Sequence, residues 1–466
     1  MRAWTAAQVA AAAGAELVRA GTGGAGVAAG GAGAAVGDAR VGAAADAGPT
    51  RAVIDSRAVG AGDLFVGLPG ERVDGGAFAP GALEAGAWGV LVTPERARSV
   101  ADGDGVVLAA ADPLAALQAL ARAWRRALGA AVIGITGSVG KTSTKDLTRA
   151  LIAPHRRVHA SRENFNTEIG LPLELLRAPA DAEVVILEMG MRGPGQIAEL
   201  AAIAEPDVGV ITALGPVHLE LLGSMAAIAA AKAELLAGVR VAVIPAGEAL
   251  LDGLVPAGPQ VVTFGEGGDV GPDVLDALEL PFTSAHMRRN ALAAVAAARA
   301  VGVEPSGRVE LELSAMRGQR VVRGDGVVVV DDCYNANPLS MRAALDDLAA
   351  ADVPAGGRRV AVLGDMLELG PQEAELHREI GAHAAAAGVD VLVTVGPLAR
   401  EMGPAFAAAV GAHDPAVIAV ADAAAAADAA RDLVRPGDVV LVKASRGVRL
   451  EAVTRALTGA QDEART

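Results

Sequence analysis

Aromatic side chains are scarce in this chain, with six Phe, three Trp and one Tyr in 466 residues. Platforms for stacking bases are therefore few. With a formal net charge of −15 there is also no basic excess to follow a phosphate backbone, so nucleic acid is excluded as a partner. The one cysteine, Cys333, rules out an internal disulfide and fits a reducing cytoplasm. No uninterrupted apolar run is long enough to span a bilayer. The opening stretch MRAWTAAQVAAAAGAELVRAG is only superficially leader-like, because Gln8, Glu16 and Arg19 interrupt its apolar part; it reads as an Ala-rich amphipathic helix. A cytoplasmic protein without a membrane span, and a monomer, is expected.

Hydrophobic residues make up 52% of the chain and charged ones 20%, the balance of a globular protein, and 466 residues are too many for one ordinary core. Residues 21–48 are nearly all Gly and Ala, with little to bury, and read as a flexible insert without chemistry. TRAVIDSRAVGAGDLFVGL reads as two short strands around a turn, GAWGVLVT as another strand, and DPLAALQALARAWRRALG as an amphipathic helix ending at Gly129. From residue 130, apolar β-branched runs (AAVIGIT, AEVVILEMG, DVGVITALG, VRVAVIPAG) alternate with helical stretches, the pattern of a doubly wound parallel sheet. A second α/β series follows SAHMRRNALAAVAAARAVG. The expectation is α/β throughout, in three domains: 1–129, 130–308 and 309–466.

The most informative stretch is VIGITGSVGKTSTKD, Val132 to Asp146. A standard phosphate loop would carry Gly at position 135, where Ile135 stands, so the glycine loop is a shortened one. Gly137 and Gly140 free the backbone N–H groups of the loop, including those of Ser138 and Val139, to turn toward a phosphate. The helix that follows offers its positive end. Lys141 would reach the β- and γ-phosphates and the Thr142 hydroxyl would ligate Mg²⁺. Glu188 ends the strand run VVILEMG, where it reads as a second Mg²⁺ ligand or as a solvated strand end. His218 follows another strand and reads as metal or phosphate contact, or as structural. Lys232, between alanines in a helical stretch, reads blandly as a solvated lysine. Asn164, Asn166 and Thr167 occupy a polar loop that binds ligand or simply turns the chain. Asp331 and Asp332 end a strand and point to opposite faces while it continues, so one of them faces the cleft. Asp365, Glu368, Lys443, Ser445 and Arg446 also lie at strand ends, where α/β ligand sites gather.

Taken together these residues resemble the Mur ligases, the ATP-dependent amide-bond-forming enzymes of bacterial peptidoglycan assembly. Thr136 to Thr142 spell the TGSxGKT loop of that family. The resemblance runs from about Thr50 to the end through DSR…GDLFVGLPGERVDG, ENFNTEIGLP, LEMGMRGPGQI, HLELLGS, AKAE, DDCYNANPLSM, GDMLELG and VKASRG, in order. It implies a UDP-binding N-terminal domain, a central ATP-binding domain and a Rossmann-like C-terminal domain. It further implies UDP-N-acetylmuramoyl-tripeptide and D-alanyl-D-alanine as substrates, joined through an acyl phosphate. A sibling ligase adding a single amino acid, and a P-loop ATPase without ligase activity, are the alternatives.

The residue roles it implies are ATP and Mg²⁺ at Lys141 and Thr142, Glu188 on the metal, and a second Mg²⁺ served by His218 and by Lys232 as a carbamate. Asn290 corresponds to the adenine contact, Asp332 to the ribose contact, and Arg317 to the phosphate-contacting arginine, with Arg320 a competing alignment. Ser56 and Arg57 fall where uridine diphosphate is met. Asn166, Thr167, Asn335, Asn337, Lys443, Ser445 and Arg446 fall along the peptide substrates. Gly76, Met287 and Cys333 depart from the usual residues of the family, and residues 253–283 are shorter than expected.

Overall fold

The computed structural model describes residues 1, 3–21, 47–100, 102–162, 164–410 and 416–459. Three large sheets follow one another along the chain, with a two-stranded pair, Leu278–Glu279 and Gly307–Arg308, between the second and third. The Gly/Ala-rich insert expected over 21–48 lies almost entirely outside the described residues.

The first sheet has five strands, in the spatial order Glu16–Ala20, Val106–Ala109, Gly89–Val92, Leu64–Val66, Ala52–Val53. Its outermost pair is antiparallel and the rest are parallel. The opening stretch is therefore not one helix. It forms a helix over Ala6–Ala13, capped by Thr5, and stops at Gly14, whose φ of 61° is the left-handed cap that glycine adopts without strain. Beyond that stop Leu17 and Val18 continue as strand against the buried Val106–Ala109 edge.

The second sheet has six strands, all parallel, ordered Gln260–Phe264, Val241–Pro245, Val208–Ile211, Ala131–Thr136, Val184–Glu188, Val158–Ala160. Its inner strands are buried on both faces, which is why they read as continuous apolar runs rather than alternating ones. The third sheet repeats the idea with an antiparallel rim: Gln319–Val322, Val328–Asp331, Val439–Lys443, Arg359–Gly364, Val391–Val395, Ala416–Val420. The α/β reading of all three parts holds, and no helix among the described residues is long and apolar enough to cross a membrane.

Two registers position the site. Ile135 pairs with Glu188 on one side, and Thr136 pairs with Ile211 on the other. The loops leaving these three strands therefore start level with one another at the carboxyl edge of the second sheet, where the order of connections reverses and α/β folds bind ligands.

Candidate active site

The glycine loop connects the buried strand Ala131–Thr136 to the helix Lys141–Ile152. Its two glycines are sterically required. Gly137 has φ 153°, and a Cβ there would sit 2.0 Å from Thr212 Oγ1. Gly140 has φ 83°, and a Cβ would meet Asn290 Oδ1 at 2.5 Å, so the expected adenine contact lies against the loop itself. Ser138 is committed elsewhere: its N–H donates to Ala213 O at 2.7 Å and its hydroxyl exchanges hydrogen bonds with the backbone of Gly215 at 2.9 and 3.0 Å. It braces the loop against the next strand's exit. Lys141 folds back so that Nζ donates to Gly137 O at 2.7 Å.

Glu188 is 2% exposed and fully engaged. One oxygen accepts from Thr142 Oγ1 at 2.7 Å and the other from Asn166 Nδ2 at 2.8 Å. A solvated strand end is excluded; this is a buried carboxylate beside a buried hydroxyl. Lys232 overturns its bland reading as well. It lies at the end of the helix Met225–Ala233, 2% exposed, its amine without a hydrogen-bond or ion-pair partner among the described residues. Burial, reinforced by repulsion from Lys141, holds its amine well below the ordinary lysine range. Burial also lowers Lys141, against the attraction of Glu188. His218 is lowered by burial too, although Glu368, hydrogen-bonded at Nδ1, opposes that shift.

These groups share one cavity of about 2010 Å³ between the second and third sheets. That exceeds the roughly 300–1,000 Å³ of an ordinary small-molecule pocket, so there is room for a nucleotide and a peptide together. On its far wall Arg317 lies with its guanidinium 3.9 Å above the Tyr334 ring. Arg317 is also the arginine whose charge is felt at Lys141, which favours it over Arg320, although both line the cavity. Asp332 faces the cavity while Asp331 is buried and accepts from the Cys333 thiol, so the adjacent carboxylates do divide between two faces.

Several expected substrate residues have structural duties in that wall. Lys443 is buried and pairs with Asp332 at 2.6 Å. Ser445 donates to Ala336 O and accepts from Leu367 N, stitching two loops together. Asn337 caps the helix Pro338–Ala349, and Asn335 Oδ1 accepts from Ala336 N. Arg446 approaches Met316 and Glu451. Asn166 and Thr167 line the cavity. Ser56 and Arg57 do not; Arg57 is exposed on the first domain and paired to Asp55. At Gly76 the room for a side chain is filled by Arg96, which a Cβ would meet at 2.8 Å.

One constellation was not legible in the sequence. Lys145 and Asp146, buried in the loop helix, form an ion pair at 3.1 Å. Asp146 accepts from both the N–H and the hydroxyl of Ser314, at 2.9 and 3.1 Å. Ser314 belongs to the crossing toward the third sheet, three positions before Arg317. The helix that follows the phosphate loop therefore grips the chain that delivers Arg317. Asp146→Ala should lower unfolding stability by about 3–5 kcal/mol, because it leaves the Lys145 charge buried without its carboxylate. Urea unfolding checks this, and an unchanged midpoint would mean the crossing is held elsewhere.

A shortened phosphate loop, a buried acid one strand away and a second α/β domain closing over both define a nucleotide-dependent transferase or ligase site. The chain belongs to the Mur ligase family: residues 51–125 match its catalytic domain, 135–286 its middle domain and 316–446 the glutamate ligase domain. A UDP-N-acetylmuramoyl-tripeptide–D-alanyl-D-alanine ligase of Synechocystis sp. is 41% identical, over 86% of this chain and 90% of that one. Among solved structures, MurF from Acinetobacter baumannii is 28% identical with a TM-score of 0.75, covering 88% of this chain and 93% of that one. MurF ligase from Thermotoga maritima in complex with ADP is 29% identical with a TM-score of 0.72, covering 88% and 97%.

Proposed function

We propose that the protein joins D-alanyl-D-alanine to UDP-N-acetylmuramoyl-tripeptide with cleavage of ATP to ADP and phosphate. The observation that carries this reading is the convergence of the glycine loop, Lys141, Thr142, Glu188 and Lys232 on one cavity, in a chain 41% identical to a ligase of that name. In this scheme the tripeptide carboxylate attacks the γ-phosphorus of ATP. ADP leaves and an acyl phosphate forms. The dipeptide amine then attacks the acyl carbon, and phosphate departs as the amide closes and the amine loses a proton. Both steps concentrate negative charge, and preorganised cations disperse it. Lys141 supplies one such charge from the loop and Arg317 a second from the opposite wall. Closure of the third-sheet domain over the second would keep water from the acyl phosphate.

Thr142 and Glu188 fit a Mg²⁺ that arrives with phosphate. Among the described residues no cluster of three or more acidic, His or Cys ligands exists, and Mg²⁺ typically takes one or two carboxylates and completes its shell with phosphate and water. Such an ion would neutralise developing charge on the transferred phosphoryl group. Lys232, a buried amine without a partner, is suited to add CO₂ and become an anionic carbamate, an oxygen donor for a second Mg²⁺ beside His218.

Incubation with ATP, D-alanyl-D-alanine and the UDP-muramoyl tripeptides ending in diaminopimelate or in lysine should give a UDP-linked pentapeptide by mass with at least one of them. Phosphate release that proceeds without either peptide substrate would sink the reading.

A further inference from the structure

His218 and Glu368 leave strands of different sheets, yet their side chains meet, with His218 Nδ1 2.5 Å from Glu368 Oε2. Both line the cavity. Both also have left-handed backbones, φ 54° and 63°, in a region that costs a residue with a Cβ about 1 kcal/mol or more. Two residues further along each loop the chains pack directly together: a Cβ on Gly370 would lie 3.4 Å from Glu220 Cα. Two strained residues at one loop-to-loop contact mark a junction held by the surrounding structure rather than a casual ion pair on a rim.

The chemistry of the pair is directional. A carboxylate only accepts, so a neutral imidazole in this contact carries its proton on Nδ1 and donates it. Nε2 is then left with its lone pair, and nothing among the described residues is hydrogen-bonded to it. Carboxylates hold ligating histidines in this way at many metal sites.

We propose that Glu368 is a positioning residue: by accepting the Nδ1 proton it fixes His218 in the tautomer whose Nε2 offers a lone pair to the cavity. Because Glu368 belongs to the third-sheet domain, that tautomer is imposed only when this domain is docked. The ligand set at the second sheet is then completed by closure. This inference rests on the ligase reading for the purpose of the lone pair, but the tautomer itself can be tested without turnover.

The test uses the full chain with ¹⁵N-labelled histidine, the His218 signals being assigned by their loss in His218→Gln. Wild type and Glu368→Gln, whose amide oxygen still accepts, should show Nδ1 protonated and Nε2 bare. Glu368→Leu should shift His218 toward the Nε2–H form. In ligation assays Glu368→Leu should lose about 10–100-fold in kcat, with the KM for ATP little changed, and Glu368→Gln should stay within about threefold of wild type on the same grounds. An Nε2–H tautomer in the wild type, an unshifted tautomer in the leucine variant, or a glutamine variant as poor as the leucine one would each overturn the proposal; the last would make the pair a charge latch. A wild type that forms no pentapeptide would remove the ligase reading while the spectra still decide the tautomer.

Discussion

Lys141→Ala is expected to cut pentapeptide formation by about 10³-fold, the scale on which a single preorganised charge contact in a transition state is missed. The reason is where the ammonium sits. It is anchored at the first turn of the helix Lys141–Ile152 and bonded to Gly137 O, beside the buried Glu188 and facing Arg317 across the cavity. When phosphate enters, the ammonium exchanges one carbonyl oxygen for anionic ones without moving out of the loop. Ground-state nucleotide binding should fall far less than turnover, because the backbone N–H groups and the helix end remain. Initial rates of phosphate release, beside equilibrium titration with ADP, separate the two. Unchanged turnover would mean that the cavity is not where the chemistry occurs.

Removing Lys232 should have a comparable effect, about 10² to 10³ in kcat, as for loss of one charge-stabilising group. Its environment sets the sign of a second test. An ordinary lysine, with a pKa of about 10.4, is a cation at neutral pH and does not react with CO₂. Burial and the charge of Lys141 lower Lys232 well below that, so the neutral amine is populated and carbamate can form. Carbamate formation releases a proton, so it is favoured as pH rises and reversed as pH falls. CO₂-free buffer should therefore depress wild-type activity, and bicarbonate should restore it. With ¹³C-bicarbonate a carbamate resonance should be present in wild type and absent in Lys232→Ala. A wild-type spectrum without that resonance would exclude the modification.

The loop and its acid were legible because each is a local pattern with a fixed structural address. A glycine turn after a β-branched run must enter a helix, and an acid ending a neighbouring strand must reach the same sheet edge. The buried position of Lys232 was indicated only by the resemblance, not by its neighbours, because its helix is almost all alanine and no periodicity marks which face is buried. The Lys145–Asp146 pair and its hold on Ser314 depend on packing across 168 positions of sequence, which no local pattern encodes. Glu368 was visible only as a strand-end residue. Its partner His218 lies 150 positions away, on another sheet. Two antiparallel rim strands, Glu16–Ala20 and Gln319–Val322, went unforeseen for a related reason. They are short and largely exposed, so their identity comes from the edge they pair with. Ser56 and Arg57, expected at uridine diphosphate on the first domain, lie outside the large cavity, and sequence gives no distance from them to it.

The order of strands in the second sheet has a consequence for biosynthesis. Ala131–Thr136 is made before either of its neighbours, Val184–Glu188 and Val208–Ile211. At a translation rate of about 5–20 residues per second, the nascent chain carries this apolar segment without either neighbour for roughly 3–10 s, until Glu188 completes the first of them. The same six residues that later support the phosphate loop thus wait, both edges open, for chain that has yet to be made.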